Sequence, residues 1–338
     1  MEAGARASSR TVAVDRNRAL GWQDASIDGL NCYLRYVEAM LFDCGYSEAG
    51  VLAQLGGPIT NDFPADGRPL VRLASGRPQW LLAEPGGSVW GDIHGTLAVG
   101  EPVIVWPDAF DWPRDEYESQ RHVHHHSVLA LRARKGLLEM LDVDAPERDS
   151  FFASVPINTR VTRACTRALR LEVPPPHKGA GNDLGGALAR SIDPLAGLAD
   201  DTLALAAWWP AAPSRSMARA VDLWALSDVQ PQLYALSRRC ERAGLHRIAR
   251  AGLAAAAQAK KVSLLLFGMQ RSPRAPAYGL CKPDLRRLGT LIRDAAVVAG
   301  AEIGRHPPGP GKGGIEHVWP RLNAISIWHE FVPLQERE

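Results

Sequence analysis

The chain has 338 residues, with 39 Lys and Arg against 37 Asp and Glu. The resulting net charge of +2 removes the electrostatic ground for a nucleic-acid or anionic-membrane partner. Hydrophobic residues at 46% and charged residues at 22% are ordinary globular usage, and the length calls for two modules, each burying its own core. No stretch reaches the ~18 apolar residues of a membrane span and no signal-peptide pattern opens the chain, so a cytoplasmic protein is expected. Five cysteines, Cys32, Cys44, Cys165, Cys240 and Cys281, are scattered without a CxxC pair, which argues against a disulfide framework and a structural zinc site.

Residues 1–17, rich in Arg, Ser and Gly, read as disordered. From Asn31 to Cys44, apolar Leu34, Val37, Met40 and Leu41 form one stripe at helical spacing, which Gly45 stops. Ser47 is then placed to cap a second, short helix through Val51 and Leu55. Residues 66–113 read as short strands broken by Gly, Pro and Asp: Leu70–Leu73, Gln79–Leu82 and Pro102–Trp106. Ser127–Arg132 and Leu137–Leu141 continue the sheet, joined by a turn at Arg134-Lys135-Gly136. This first folded domain is expected over 18–158, followed by a bridging segment over 159–186; beyond Phe151 the chain reads as polar and strand-like up to Pro174-Pro175-Pro176, and Gly179 to Gly186 is flexible in composition. A helical domain is expected over 187–338, including Leu233–Cys240, Leu245–Phe267 and Asp284–Ile303. A last amphipathic segment, from Trp319 to Phe331, is expected to pack back onto it. Gly309 to Gly314 resembles a phosphate loop only superficially, because no Ser or Thr follows Lys312 and no strand precedes it.

Cys32 falls at the start of the first apolar helix, where unpaired backbone N–H groups and the positive end of the dipole favour an anion. A small buried cysteine filling a helix interface is the alternative. Four histidines, His122, His124, His125 and His126, crowd the entry to the strand at Ser127. In an extended chain His122, His124 and His126 share a face, so a catalytic imidazole or several metal ligands could stand there. A zinc centre would need a further ligand, and neither HExxH nor CxxC spacing is present. No metal and no cofactor is therefore expected, and His126, which opens the strand, is the preferred base. The next strand returns to Asp142, with Asp144 two residues on at the same side-chain parity; either carboxylate could orient the imidazole, and Asp142 leads.

The order of cysteine helix, histidine-led strand and terminal aspartate resembles the butirosin biosynthesis protein H group. The resemblance rests on Asn31-Cys32-Tyr33-Leu34-Arg35, Gly45-Tyr46-Ser47-Glu48, Leu55-Gly56-Gly57, the strand Pro102 to Asp108, His126 to Leu131 and Asp142, within residues 28–146. It implies an α+β protein: a papain-like N-terminal catalytic domain, its cysteine helix packed on an antiparallel sheet, followed by a mostly helical C-terminal domain. It also implies an acyltransferase of natural-product biosynthesis with a Cys32, His126, Asp142 triad, moving an acyl group from an acyl carrier protein thioester onto a small-molecule amine. Related peptidases place a glutamine oxyanion donor shortly before the cysteine, for which Gln23 is the candidate here. Asn31 replaces a common histidine, and Arg132-Ala133-Arg134-Lys135 replaces a Gly-aromatic-Asp turn. Two other functions stay open: a cysteine hydrolase with the same triad, acting as peptidase, amidase or thioesterase, and a degenerate scaffold subunit.

Overall fold

A computed structural model describes residues 32–47, 50–51, 54–55, 73, 77–114, 118–120, 122–124, 126–143, 152–173, 176, 184–271, 278–307, 309, 318–320 and 322. Among these, eight α-helices accompany one six-stranded sheet, a mixed α and β architecture. Contacts divide the chain into two compact units. The described residues of Gln79–Leu171 make the first, and those of Ile27–Pro78 and Glu172–Glu338 the second. No described helix is long and apolar enough to cross a membrane.

The sheet runs in the order β1 (Arg77–Leu82), β6 (Arg167–Glu172), β2 (Val103–Trp106), β3 (Val128–Arg134), β4 (Leu137–Leu141), β5 (Phe152–Pro156). The pairs of β2 with β3 and β6, of β3 with β4, and of β4 with β5 are antiparallel. β2 is buried along its whole length, which its unbroken Val-Ile-Val-Trp run anticipates. The β3–β4 hairpin turns on Lys135 and Gly136, with φ of 51° and 74°, the left-handed pair of a two-residue type I′ loop. Leu131 is an extra residue in β3: Ala130 faces Met140 and Arg132 faces Glu139, so the strand bulges there. One sheet face, with Val103, Val105, Val128, Ala130, Leu138 and Met140, is covered by Ile93 and Leu97 of α2 (Trp90–Ala98) and Val161 and Ala164 of α3 (Thr159–Ala164).

Two sequence expectations change here. The stretch 66–113, read as strands throughout, contains α2, whose buried Ile93, Thr96 and Leu97 recur at helical spacing. Segment 159–186, expected as a bridge that is polar and strand-like up to Pro174, does carry a strand, but β6 lies inside the sheet between β1 and β2, and α3 precedes it. Its exposed-looking arginines mislead: Ala168, Leu169 and Leu171 are buried, while Arg170 ends in an ion pair with Glu101, 2.7 Å away. Of the strand expected at Leu70–Leu73 only Leu73 is described, and it lies in neither helix nor strand.

α1 (Cys32–Asp43) belongs to the second unit, not to the sheet unit. Gly45, at φ of 92°, ends it: Tyr46 N–H bonds to the Leu41 carbonyl and Gly45 N–H to that of Phe42, a Schellman closure. Ser47 then caps the following turn, its hydroxyl accepting from Gly50 N–H at 3.2 Å. The remaining helices of the unit are α4 (Leu184–Trp208), α5 (Arg215–Trp224), α6 (Gln230–Arg242), α7 (His246–Arg271) and α8 (Lys282–Glu302). A π-helical turn at Ala225–Val229 joins α5 to α6. They enclose one apolar core, to which Val318 and Leu322 also contribute; most of the amphipathic segment expected through Phe331 lies outside the described residues.

Candidate functional site: two imidazole–carboxylate pairs and a helix-start cysteine

His126 stands two residues before β3 and Asp142 directly after β4, so the hairpin brings both to one end of the strand pair. His126 Nε2 lies 2.9 Å from Asp142 Oδ1, with side-chain exposures of 15% and 8%. Asp142 Oδ1 accepts a hydrogen bond from Nε2–H, the tautomer in which Nδ1 is the proton-accepting nitrogen. Arg114 Nε lies 3.9 Å from Asp142 Oδ2, so the carboxylate stands between a guanidinium and the imidazole. Asp142 meets the imidazole; Asp144, the other candidate carboxylate, lies outside the described residues, as do Gln23 and His125.

The other described histidines diverge. His124 is buried, its Nε2 3.4 Å from the Thr166 hydroxyl. His122 has a carboxylate of its own: Nδ1 lies 2.7 Å from Asp108 Oδ2. Asp108 follows β2, and no local spacing in the sequence ties it to a histidine in the next connection. Among the described residues no group of three or more His, Cys, Asp or Glu has the arrangement of a metal site.

Cys32 is the first residue of α1, where the helix presents backbone N–H groups. Leu34 packs against Ala235 and Glu38 pairs with Arg239, so this side of α1 faces α6. Cys32, Tyr36 and Ala39 recur on the opposite side at helical spacing, and all three are buried. α1 is thus buried around its whole circumference, as a central helix is. Cys32 belongs to the helical unit and the His126–Asp142 pair to the sheet unit.

None of the five cysteines forms a disulfide. Burial pushes the thiols of Cys165, Cys240 and Cys281 each up to about 12, which makes them inert near neutral pH. No protein-family model matches the chain, and no curated protein is significantly similar to it.

Proposed function

We propose that this chain is a cysteine-dependent acyltransferase of papain-like fold, akin to the butirosin biosynthesis protein H group, that forms an acyl thioester on Cys32. The observation that carries the reading is the enclosed His126–Asp142 pair, 2.9 Å apart at the end of a hairpin. An imidazole held at Nε2 by a carboxylate has a set tautomer and orientation, which a base for a thiol needs. The position of Cys32 at the start of α1, where backbone N–H groups and the positive end of the dipole favour an anion, supports it as the nucleophile.

In the proposed cycle the Cys32 proton passes to His126 Nδ1, and the thiolate attacks the carbonyl carbon of the donor thioester. The donor C–S bond breaks, and the imidazolium returns its proton to the departing thiol, which is an acyl carrier protein's prosthetic arm. A small-molecule amine then attacks the Cys32 thioester, its N–H proton goes to His126, and the Cys32 thiol is regenerated with that proton. Asp142 keeps the imidazole oriented and stabilises its charged form.

The test is intact-protein mass spectrometry after incubation with acyl-N-acetylcysteamine thioesters, followed by peptide mapping. One acyl group is expected on Cys32 in the wild type and none in His126→Ala. Release of free acid with every amine offered would favour the hydrolase, and an unmodified Cys32 with every thioester would favour the scaffold.

A further inference from the structure

Among its described residues, the connection from β2 to β3 is fastened at two points. Trp112, fully buried in the core of the sheet unit, fixes the chain two residues before Arg114. Ser119 N–H donates to the Phe110 carbonyl at 2.8 Å, and Ser119 holds a φ of 56°, a left-handed backbone unfavourable for serine. Arg160 of α3 clasps this closure: Nη2 donates to the Phe110 carbonyl at 2.9 Å and the Ser119 hydroxyl at 2.7 Å, and Nη1 meets Glu118 at 2.5 Å.

The acids around this end of the sheet are matched one by one. Asp108 accepts from Phe110 N–H at 3.1 Å and meets His122 Nδ1 at 2.7 Å. Asp111 and Glu118 face Arg160, and Glu139 lies between Arg132 and Arg134. His124, buried two residues before His126, turns its Nε2 to the Thr166 hydroxyl of the segment entering β6. For Asp142 the cation is Arg114, 3.9 Å from Oδ2, while Oδ1 meets His126 Nε2 at 2.9 Å. At 3.9 Å the guanidinium makes no hydrogen bond, so what it supplies is charge. A carboxylate alone makes a neighbouring imidazole hold its proton more tightly, and an imidazole already protonated cannot act as a base. A positive charge on the far side of the carboxylate opposes that effect.

We propose that Arg114 is a positioning residue for the His126 base: through Asp142 its charge keeps the imidazole free to accept a proton near neutral pH, and Arg160 holds the loop that presents it. The inference rests on the proposed role of His126 and adds no step to that cycle. Arg114 sets the fraction of molecules whose His126 Nδ1 can take a proton. All of these groups, from Asp108 to Arg160, belong to the sheet unit.

The experiment follows the His126 ring by NMR across a pH series in protein carrying isotope-labelled histidine, with the signal assigned from His126→Ala. Arg114→Ala is expected to raise the midpoint of the His126 titration by about half to one pH unit, a modest effect because Arg114 is partly exposed. Arg114→Lys, which keeps the charge, should stay near wild type. Arg160→Ala should raise the midpoint in the same direction, and the double variant should go no further than Arg114→Ala alone. Acylation of Cys32 by an acyl-N-acetylcysteamine thioester should slow about 3- to 10-fold in Arg114→Ala at neutral pH and recover as pH rises, which a merely structural defect would not do. An unchanged midpoint, no rescue by lysine, or effects of Arg114 and Arg160 that simply add would overturn the inference. Where Arg160→Ala does not fold, the two Arg114 variants decide. A wild type never acylated at Cys32 would remove the role of His126 as its base, and that of Arg114 with it, whatever the midpoint.

Discussion

In the sheet unit the buried carboxylates Asp108 and Asp142 stand just past the ends of β2 and β4, each against an imidazole. In the helical unit the carboxylate of Glu38 sits in the middle of α1 against the Arg239 guanidinium, both side chains 1% exposed. The first kind sets a carboxylate against an imidazole, whose two ring nitrogens can each donate or accept a proton. The second sets it against a guanidinium, which only donates, and both side chains are shut off from solvent. Glu38 Oε2 and Arg239 Nε and Nη1 have no hydrogen-bond partner among the described residues, so the desolvated charges lean mainly on each other. Buried charge at strand ends is thus suited to chemistry, and buried charge in mid-helix to holding α1 against α6.

The sharpest way to break this contrast is to remove the base from one pair and watch both stability and reactivity. His126→Ala should slow acylation of Cys32 by about 10²- to 10⁴-fold, the usual contribution of a positioned general base, with little change in thermal midpoint. Alkylation mapping should agree: in the wild type iodoacetamide reaches Cys32 and the half-buried Cys44 before Cys165, Cys240 and Cys281, and His126→Ala slows labelling at Cys32 alone. A large loss of stability with unchanged labelling would make the pair structural.

The helical pair should answer in the opposite way. Glu38→Ala strands a buried guanidinium and should lower unfolding free energy by about 3–5 kcal/mol in urea melts. Replacing both partners, Glu38→Met with Arg239→Met, should recover most of that loss. If the single and double variants are equally unstable, the pair contributes packing and not charge compensation.

A smaller effect tests how closely the helical unit is assembled. A Cβ added at Gly289 of α8 would lie 2.7 Å from Leu203 Cγ and 3.1 Å from the Leu203 backbone nitrogen of α4. Gly289→Ala should therefore cost about 1–3 kcal/mol through overpacking, although alanine is the better helix former. A neutral or stabilising result in the same melts would show that α4 and α8 can separate freely.

The smallest effect concerns Glu139, on β4 between Arg132 and Arg134 of β3. Burial pushes its carboxyl up, but the two guanidinium groups together hold it below its ordinary value of 4.5. A carboxyl depressed in the folded state adds stability that is complete above the unfolded value and fades as pH falls through the folded one. The partly exposed arginines keep the gain to about 1 kcal/mol or less. Wild type should thus melt slightly above Glu139→Gln at pH 7, and the gap should close as pH drops below 4.5. A gap that persists at pH 3 would point to packing.

Local signals along the chain were enough for the elements that carry these residues. The stop at Gly45, the cap at Ser47, the Lys135-Gly136 turn and the apolar runs of β2, β3 and β4 all follow from side-chain and backbone preferences of neighbouring residues. The contact of His126 with Asp142 was legible for the same reason, since one hairpin joins them. What only the tertiary structure decided lies between elements distant in sequence. It inserted β6 between β1 and β2, grouped α1 with the helical unit, joined Glu38 to Arg239, and set Asp108 against His122. Periodicity reports which face of an element is apolar and says nothing of which partner covers it, because burial is rewarded without regard to the neighbour that supplies it.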